Sequence, residues 1–307
     1  MRIPANGLEL EYADSGPSHG PVILLIMGLG TQMTRWPASL IDGLVGKGFR
    51  VIRFDNRDVG LSSKLDEAGT PDMAAVAQAV LTGSEIPVAY TLTDMAQDAV
   101  GLLDALGIAR AHLVGASMGG MIAQIVAATH PDRALSLTSL MSSSGRPDLP
   151  PSSAAVSALL MSPRPDPADM EAIVERVVTG AELMGSPGYP VDRATRRAAA
   201  IDEYRRCHYP AGIDRHTAAV VADGDRRARL HRITAPTVVI HGLDDPLIPI
   251  EAARDTAAHI AGASLIEIAG MGHDVPEALV ALVLECIIAV AARASDTAAI
   301  PLEGELS

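Results

Sequence analysis

Residues 115–119 read Gly115-Ala116-Ser117-Met118-Gly119, directly after the apolar run Ala111-His112-Leu113-Val114 and before the small and apolar stretch Gly120-Met121-Ile122-Ala123-Gln124-Ile125-Val126. That order predicts a buried strand, a sharp turn and a helix packed closely on a sheet, with the serine at the corner and its hydroxyl exposed to attack a carbonyl carbon. A serine needs a base, and the base needs an orienting carboxylate. In this kind of strand–turn–helix site, nucleophile, acid and histidine follow one another along the chain. Of the nine histidines, His259 and His273 come late enough. His259 falls within the helix-like stretch Arg254–Ile260, whereas His273 lies in the glycine-rich segment Ala269-Gly270-Met271-Gly272-His273-Asp274, just beyond a strand, where a mobile imidazole is delivered. For the acid, the run Thr237–His241 ends in Gly242-Leu243-Asp244-Asp245-Pro246. Either aspartate can turn toward the imidazole, the other capping the turn or meeting solvent. His241 belongs to the strand end and reads as structural.

Ester chemistry through a tetrahedral intermediate also calls for two pre-placed donors to the oxyanion. One is expected from the backbone N–H of Met118. The second is expected from Leu29, in the Met27-Gly28-Leu29-Gly30-Thr31 loop after the Val22–Met27 strand. The same glycine pair does not make a dinucleotide fingerprint, because Met33 occupies the third glycine's place. No His/Asp/Glu set has metal-ligand spacing, so neither metal nor cofactor is expected.

The elements that must carry these groups alternate along the chain. Short apolar runs at Leu8–Tyr12 (with the alternation of an edge strand), Pro21–Met27, Arg50–Asp55, Ala111–Gly115, Leu135–Met141, Thr237–His241 and Ser264–Ile268 are separated by helix-period segments, including one ending near Lys47-Gly48 and others around 251–260 and 275–293. This is the pattern of an α/β fold with a mostly parallel sheet covered by helices on both faces. Between Gly145 and about Ile233 the rhythm breaks into proline-punctuated segments rich in Ala, Met and Arg. A helical cap over 146–233 is therefore expected, inserted into a core of 1–145 and 234–294, with Met161, Met170 and Met184 as adaptable apolar walls. Residues 295–307 are small and acidic and read as a frayed tail.

The chain has 307 residues, 48% of them hydrophobic, and a net charge of -13. The acidity argues against nucleic acid and anionic membrane as partners, since both are bound through an excess of Lys and Arg, and leaves a neutral or apolar small molecule. The N-terminus lacks the apolar core of a secretory signal, which makes the cytoplasm the default location. Cys207 and Cys286 read as buried structural thiols. Ala278–Ala294, interrupted by Glu285, is too short to span a bilayer and reads as a buried helix. Trp36 lies close to the oxyanion loop, where lining a pocket and packing in the core are both open; Phe49 and Phe54 read as core.

As a set these motifs resemble the α/β-hydrolase superfamily over about Leu8–Ala294. Gly115–Gly119 matches its nucleophile elbow, Gly272-His273 its G-H loop, and His241-Gly242 with Asp245 its H-G-x-x-D acid loop. The resemblance implies Asp245, not Asp244, as the acid. Arg53–Ser62 is similar to the D-x-R-G-x-G-x-S segment, a structural turn. Met27-Gly28 stands where His-Gly is common, and with the residues up to Pro37 it resembles the aclacinomycin methylesterase subgroup and related serine macrolide esterases. That likeness implies hydrolysis of an ester or lactone in a bulky, polyketide-like molecule through a Ser117-His273-Asp245 triad. The same triad serves cofactor-free perhydrolases and C–C hydrolases, and could be retained by a ligand receptor of slow turnover. A serine at 117 speaks against the carboxylate-nucleophile branches of the superfamily.

Overall fold

The computed structural model describes residues 1–298; the tail expected over 295–307 lies for the most part outside the described residues. In chain order the elements are β1 (Arg2–Ala5), β2 (Leu8–Ser15), β3 (Val22–Ile26), α1 (Ala38–Gly46), β4 (Arg50–Phe54), α2 (Met73–Thr82), α3 (Leu92–Ala105), β5 (Ala111–Ala116), α4 (Met118–Thr129) and β6 (Ala134–Leu140). Five helices then intervene: α5 (Ala154–Met161), α6 (Met170–Met184), α7 (Arg193–Arg206), α8 (Pro210–Asp223) and α9 (Arg227–Leu230). The core resumes with β7 (Thr237–Gly242), α10 (Ile250–Ala258), β8 (Ser264–Ile268) and α11 (Val280–Ala298).

The strands form one eight-stranded sheet in the order β1-β2-β4-β3-β5-β6-β7-β8. β1 and β2 pair antiparallel, as do β2 and β4, and every other neighbouring pair is parallel. The fold is thus α/β, as expected. Leu8–Tyr12, however, is not the edge. Arg2–Ala5 takes that place, turning back through Asn6-Gly7, both at positive φ.

Every residue of β3 is buried because each face of the strand meets a helical layer. Leu24 and Ile26 pack with α3 and α4, among them Met95, Leu102, Ile122 and Ile125. Ile23 and Leu25 point the other way, into Leu40 and Leu44 of α1 and Val283 and Ile287 of α11. Trp36 lies buried in this second layer, and Phe49 and Phe54 are buried on opposite faces. Cys207 and Cys286 are free thiols and only partly buried. His259 sits at the C-cap of α10, not within the helix, with Nδ1 2.7 Å from the Asp255 carbonyl. Among the described residues no helix is long and apolar enough to cross a membrane.

The helices between β6 and β7 start where local chemistry dictates. The side chains of Ser153, Asp169 and Asp192 each accept a backbone N–H of the first turn of α5, α6 and α7, and Pro210 opens α8 where its missing N–H costs nothing.

Candidate active site

β5 ends at Ala116 and α4 begins at Met118, so Ser117 alone makes the corner. Its φ of 55° and ψ of -121° lie in a region that side chains rarely adopt. The strain is held from several sides. Ser117 N–H donates to the Leu140 carbonyl at 2.9 Å, and its own carbonyl accepts the Ser142 hydroxyl at 2.8 Å. The flanking glycines are required by contact: a Cβ at 115 would collide with the Gly119 carbonyl, and one at 119 with the Ile26 carbonyl.

Three loops at the carboxyl ends of parallel strands converge on this corner. β3 is the direct neighbour of β5, with Ile26 opposite Gly115, so its following loop lies beside the serine. A Cβ on Gly28 would stand 3.2 Å from that of Ser117. This places Leu29 and Met118 one residue from positions in contact with or at the serine. Asn56 Nδ2 donates to the Met27 carbonyl, and buried Asp55 accepts from Met33 N–H and Leu61 N–H, so the Arg53–Ser62 segment buttresses the loop.

After β8, His273 is delivered with Nε2 3.1 Å from Ser117 Oγ and Nδ1 2.7 Å from Asp245 Oδ2. A carboxylate only accepts, so Nδ1 carries the proton and Nε2 is left to accept the serine hydroxyl. Asp245 follows β7 with its carboxylate fully buried. Its Oδ1 accepts the N–H groups of Leu247 and Ile248, both at 2.9 Å, an Asx-type turn that aims Oδ2 at the imidazole. Burial opposes ionisation of Asp245, but hydrogen bonds from His241, His273 and Ile248 N–H outweigh it and hold the carboxyl well below its ordinary range. Asp244 turns away and accepts Gly270 N–H at 2.8 Å, bracing the histidine loop. Among the described residues no three His, Cys, Asp or Glu side chains are grouped to hold a metal ion.

The model of the family described as alpha/beta hydrolase fold matches residues 21–184. The chain belongs to the α/β-hydrolase family. It is 31% identical over 289 residues to rhodomycin D methylesterase of Streptomyces peucetius, covering 86% of this chain and 88% of the relative. It is 30% identical over 278 residues to a putative carbamate hydrolase of Variovorax paradoxus, covering 89% and 93%. Among solved structures, the enol-lactonase of Burkholderia xenovorans LB400 superposes with a TM-score of 0.71 at 25% identity, covering 94% of this chain and 99% of that one.

The hydrolase's site includes groups that the sequence reading passed over, and one, His241, that it read as structural. His241 Nε2 lies 2.7 Å from the Ile248 carbonyl and 3.3 Å from Asp245 Oδ2, so it is a neighbour of the acid and not merely a strand terminus. Buried Gln32 ties the end of the Gly28–Thr31 loop to α7: its amide donates to the carbonyls of Glu203 and Cys207 at 2.7 and 2.9 Å and accepts from Arg206. The end of α6 grips the histidine loop in the same way. His273 N–H donates to the Met184 carbonyl at 2.7 Å and Gly272 N–H to Ser186 Oγ at 3.0 Å. No local motif marks Gln32, Met184 or Ser186, because their partners lie far away in the chain.

Proposed function

We propose that this hydrolase is a serine esterase or lactonase acting on a bulky, polyketide-like small molecule, with Ser117 as nucleophile, His273 as general base and Asp245 as the orienting acid. The observation that carries the reading is the continuous Asp245–His273–Ser117 hydrogen-bond relay ending on a serine at positive φ. Ser117 Oγ attacks the ester carbonyl carbon as its proton passes to His273 Nε2, and the carbonyl oxygen gains the negative charge. The backbone N–H groups of Leu29 and Met118 receive that charge. On collapse the C–O bond breaks, the alcohol leaves with the imidazolium proton, and Ser117 keeps the acyl group. Water then attacks with the same base, releasing the acid and restoring the hydroxyl. Buried and ionised, Asp245 holds the tautomer and stabilises the imidazolium without taking the proton.

Residues 146–233 act as a cap over a core of 1–145 and 234–294, and the substrate enters between them. The methyl ester of a bulky, polyketide-like molecule is the favoured substrate, supported by the likeness to rhodomycin D methylesterase; the likeness to an enol-lactonase keeps lactones in the same proposal. A panel of methyl esters, p-nitrophenyl esters and lactones, some polycyclic or macrocyclic, tests it against wild type and Ser117→Ala. Release of methanol from a polycyclic methyl ester by wild type alone supports the reading. Ester or lactone turnover that survives Ser117→Ala, or none by wild type across the panel, overturns it.

A further inference from the structure

The loop after β3 is held by a group that the proposed chemistry does not use. His216, on α8, is wholly buried. Its Nε2 lies 2.8 Å from the Arg57 carbonyl and its Nδ1 3.1 Å from the Gly30 backbone nitrogen. A carbonyl can only accept and an amide N–H can only donate. Both contacts are satisfied together by one form alone, the neutral imidazole with its proton on Nε2 and its lone pair on Nδ1.

The surroundings favour that form. Tyr90 stands edge-on to the ring at 6.2 Å, and the nearby charges are paired elsewhere, Arg57 with Asp98 and Arg215 with Asp58. Burial dominates over the opposing pull of the Arg57 carbonyl and Asp58 and pushes the imidazole down to about 4.

What His216 holds is one peptide unit. Its N–H, at Gly30, donates to the imidazole, and its C=O, at Leu29, accepts the Thr31 hydroxyl at 3.1 Å. Gly30 has a φ of 64°, a conformation reached without penalty by glycine, and Ile213, one turn before His216 on α8, abuts it so closely that a Cβ would stand 2.8 Å from Ile213 Cγ1. A peptide pinned at both ends cannot rotate, and its orientation fixes the direction of the chain at Leu29.

We propose that His216 is a positioning residue: from the inserted helix α8 it locks the Leu29–Gly30 peptide so that the Leu29 N–H is aimed at the developing oxyanion. The consequence for turnover rests on the serine esterase reading, whereas the consequence for the Gly30 amide does not. Three variants separate them. His216→Phe removes the acceptor, His216→Asn returns an acceptor near the Nδ1 position, and His216→Gln returns only the reach to Arg57 and replaces the phenylalanine variant if that one fails to fold. By hydrogen-exchange NMR, the Gly30 amide exchanges at least about tenfold faster in the Phe variant while β5 amides are unchanged, and the Asn variant keeps most of the protection. With a substrate of the wild type, the Phe variant lowers kcat by roughly 10²-fold at little-changed KM and weakens inhibition by phenylboronic acid, and the Asn variant recovers both.

Equal Gly30 protection in wild type and the Phe variant overturns the proposal, as does an Asn variant no better than Phe in kcat. Wild type active, Ser117→Ala dead and the Phe variant fully active removes this proposal and leaves the esterase reading standing. If wild type turns over none of the esters, that reading falls, and the locking of the peptide is then decided by the Gly30 exchange.

Discussion

Two adjacent aspartates at the end of β7 have opposite fates, and the difference is one of hydrogen bonding. Asp245 is buried and faces His273 at 2.7 Å, whereas Asp244 accepts a single N–H from Gly270. Asp245→Asn is therefore expected to lower kcat by on the order of 10⁴, since the amide favours the wrong imidazole tautomer. Asp244→Asn is expected to change kcat by less than about tenfold, because it braces a loop from a site away from the reacting atoms. Steady-state kinetics of the two variants beside each other measures this, and equal losses would contradict the assignment. The residues of the proposed triad were singled out in the sequence because each sits in a short local pattern: glycine-flanked serine, glycine-preceded histidine, aspartate after a strand. The choice of Asp245 over Asp244 came from the resemblance to the family's acid loop and not from the residues alone, since it depends physically on which side chain the Leu247 and Ile248 amides capture. His216 and Gln32 were invisible for a related reason: a buried polar side chain whose partners lie more than a hundred residues away carries no mark of its own.

At the scale of elements, the corner between β5 and α4 depends on how closely the helix approaches β3. Gly119 permits that approach, and a methyl group there would meet the Ile26 carbonyl. Gly119→Ala is expected to cost about 1–3 kcal/mol of stability by overpacking, read as a lower urea midpoint with an unchanged slope. The tie between the β3 loop and α7 is similarly specific. Gln32→Leu strands the carbonyls of Glu203 and Cys207 and leaves Arg206 with one fewer acceptor, and a loss of about 1–3 kcal/mol is expected in the same measurement. A variant as stable as wild type would mean that water replaces the amide. The parallel strands were readable because each is a short run rich in apolar residues, with β3, β5 and β7 buried along their whole length. Arg2–Ala5 was not, because four residues with one buried position carry too little pattern. Helix α3 was missed although the signal exists, a capping box of Thr91 and Asp94 followed by Leu92, Met95, Ala99, Leu102 and Leu103 on one face.

For the whole molecule, two buried histidines are expected to contribute to the response to acid. His112 in β5, against Ser136, and His216 in α8 are each pushed from an ordinary 6.5 down to about 4, chiefly by burial. Between those values the unfolded chain takes up a proton that the folded chain refuses, so the contribution of these two rings to stability is intact above pH 6.5 and declines as the pH falls toward 4. Each histidine accounts for up to about 3 kcal/mol by the lower limit. Melting temperatures recorded from pH 7.5 down to pH 4.5 should drop reversibly, with His112→Gln showing a shallower decline; a flat profile in wild type would contradict the burial of both rings. Finally, α6, α7 and α8 are tied to the candidate site, since Met184, Glu203 and His216 reach into the loops of His273 and Gly28–Gln32. If His216 positions the oxyanion loop as proposed, anyone grafting this region from a related enzyme to redirect selectivity would transplant part of the alignment machinery with it. Chimeras joined at the ends of β6 and β7 should accordingly lose turnover on every ester alike, unless the donor also supplies its own matching segment after β3.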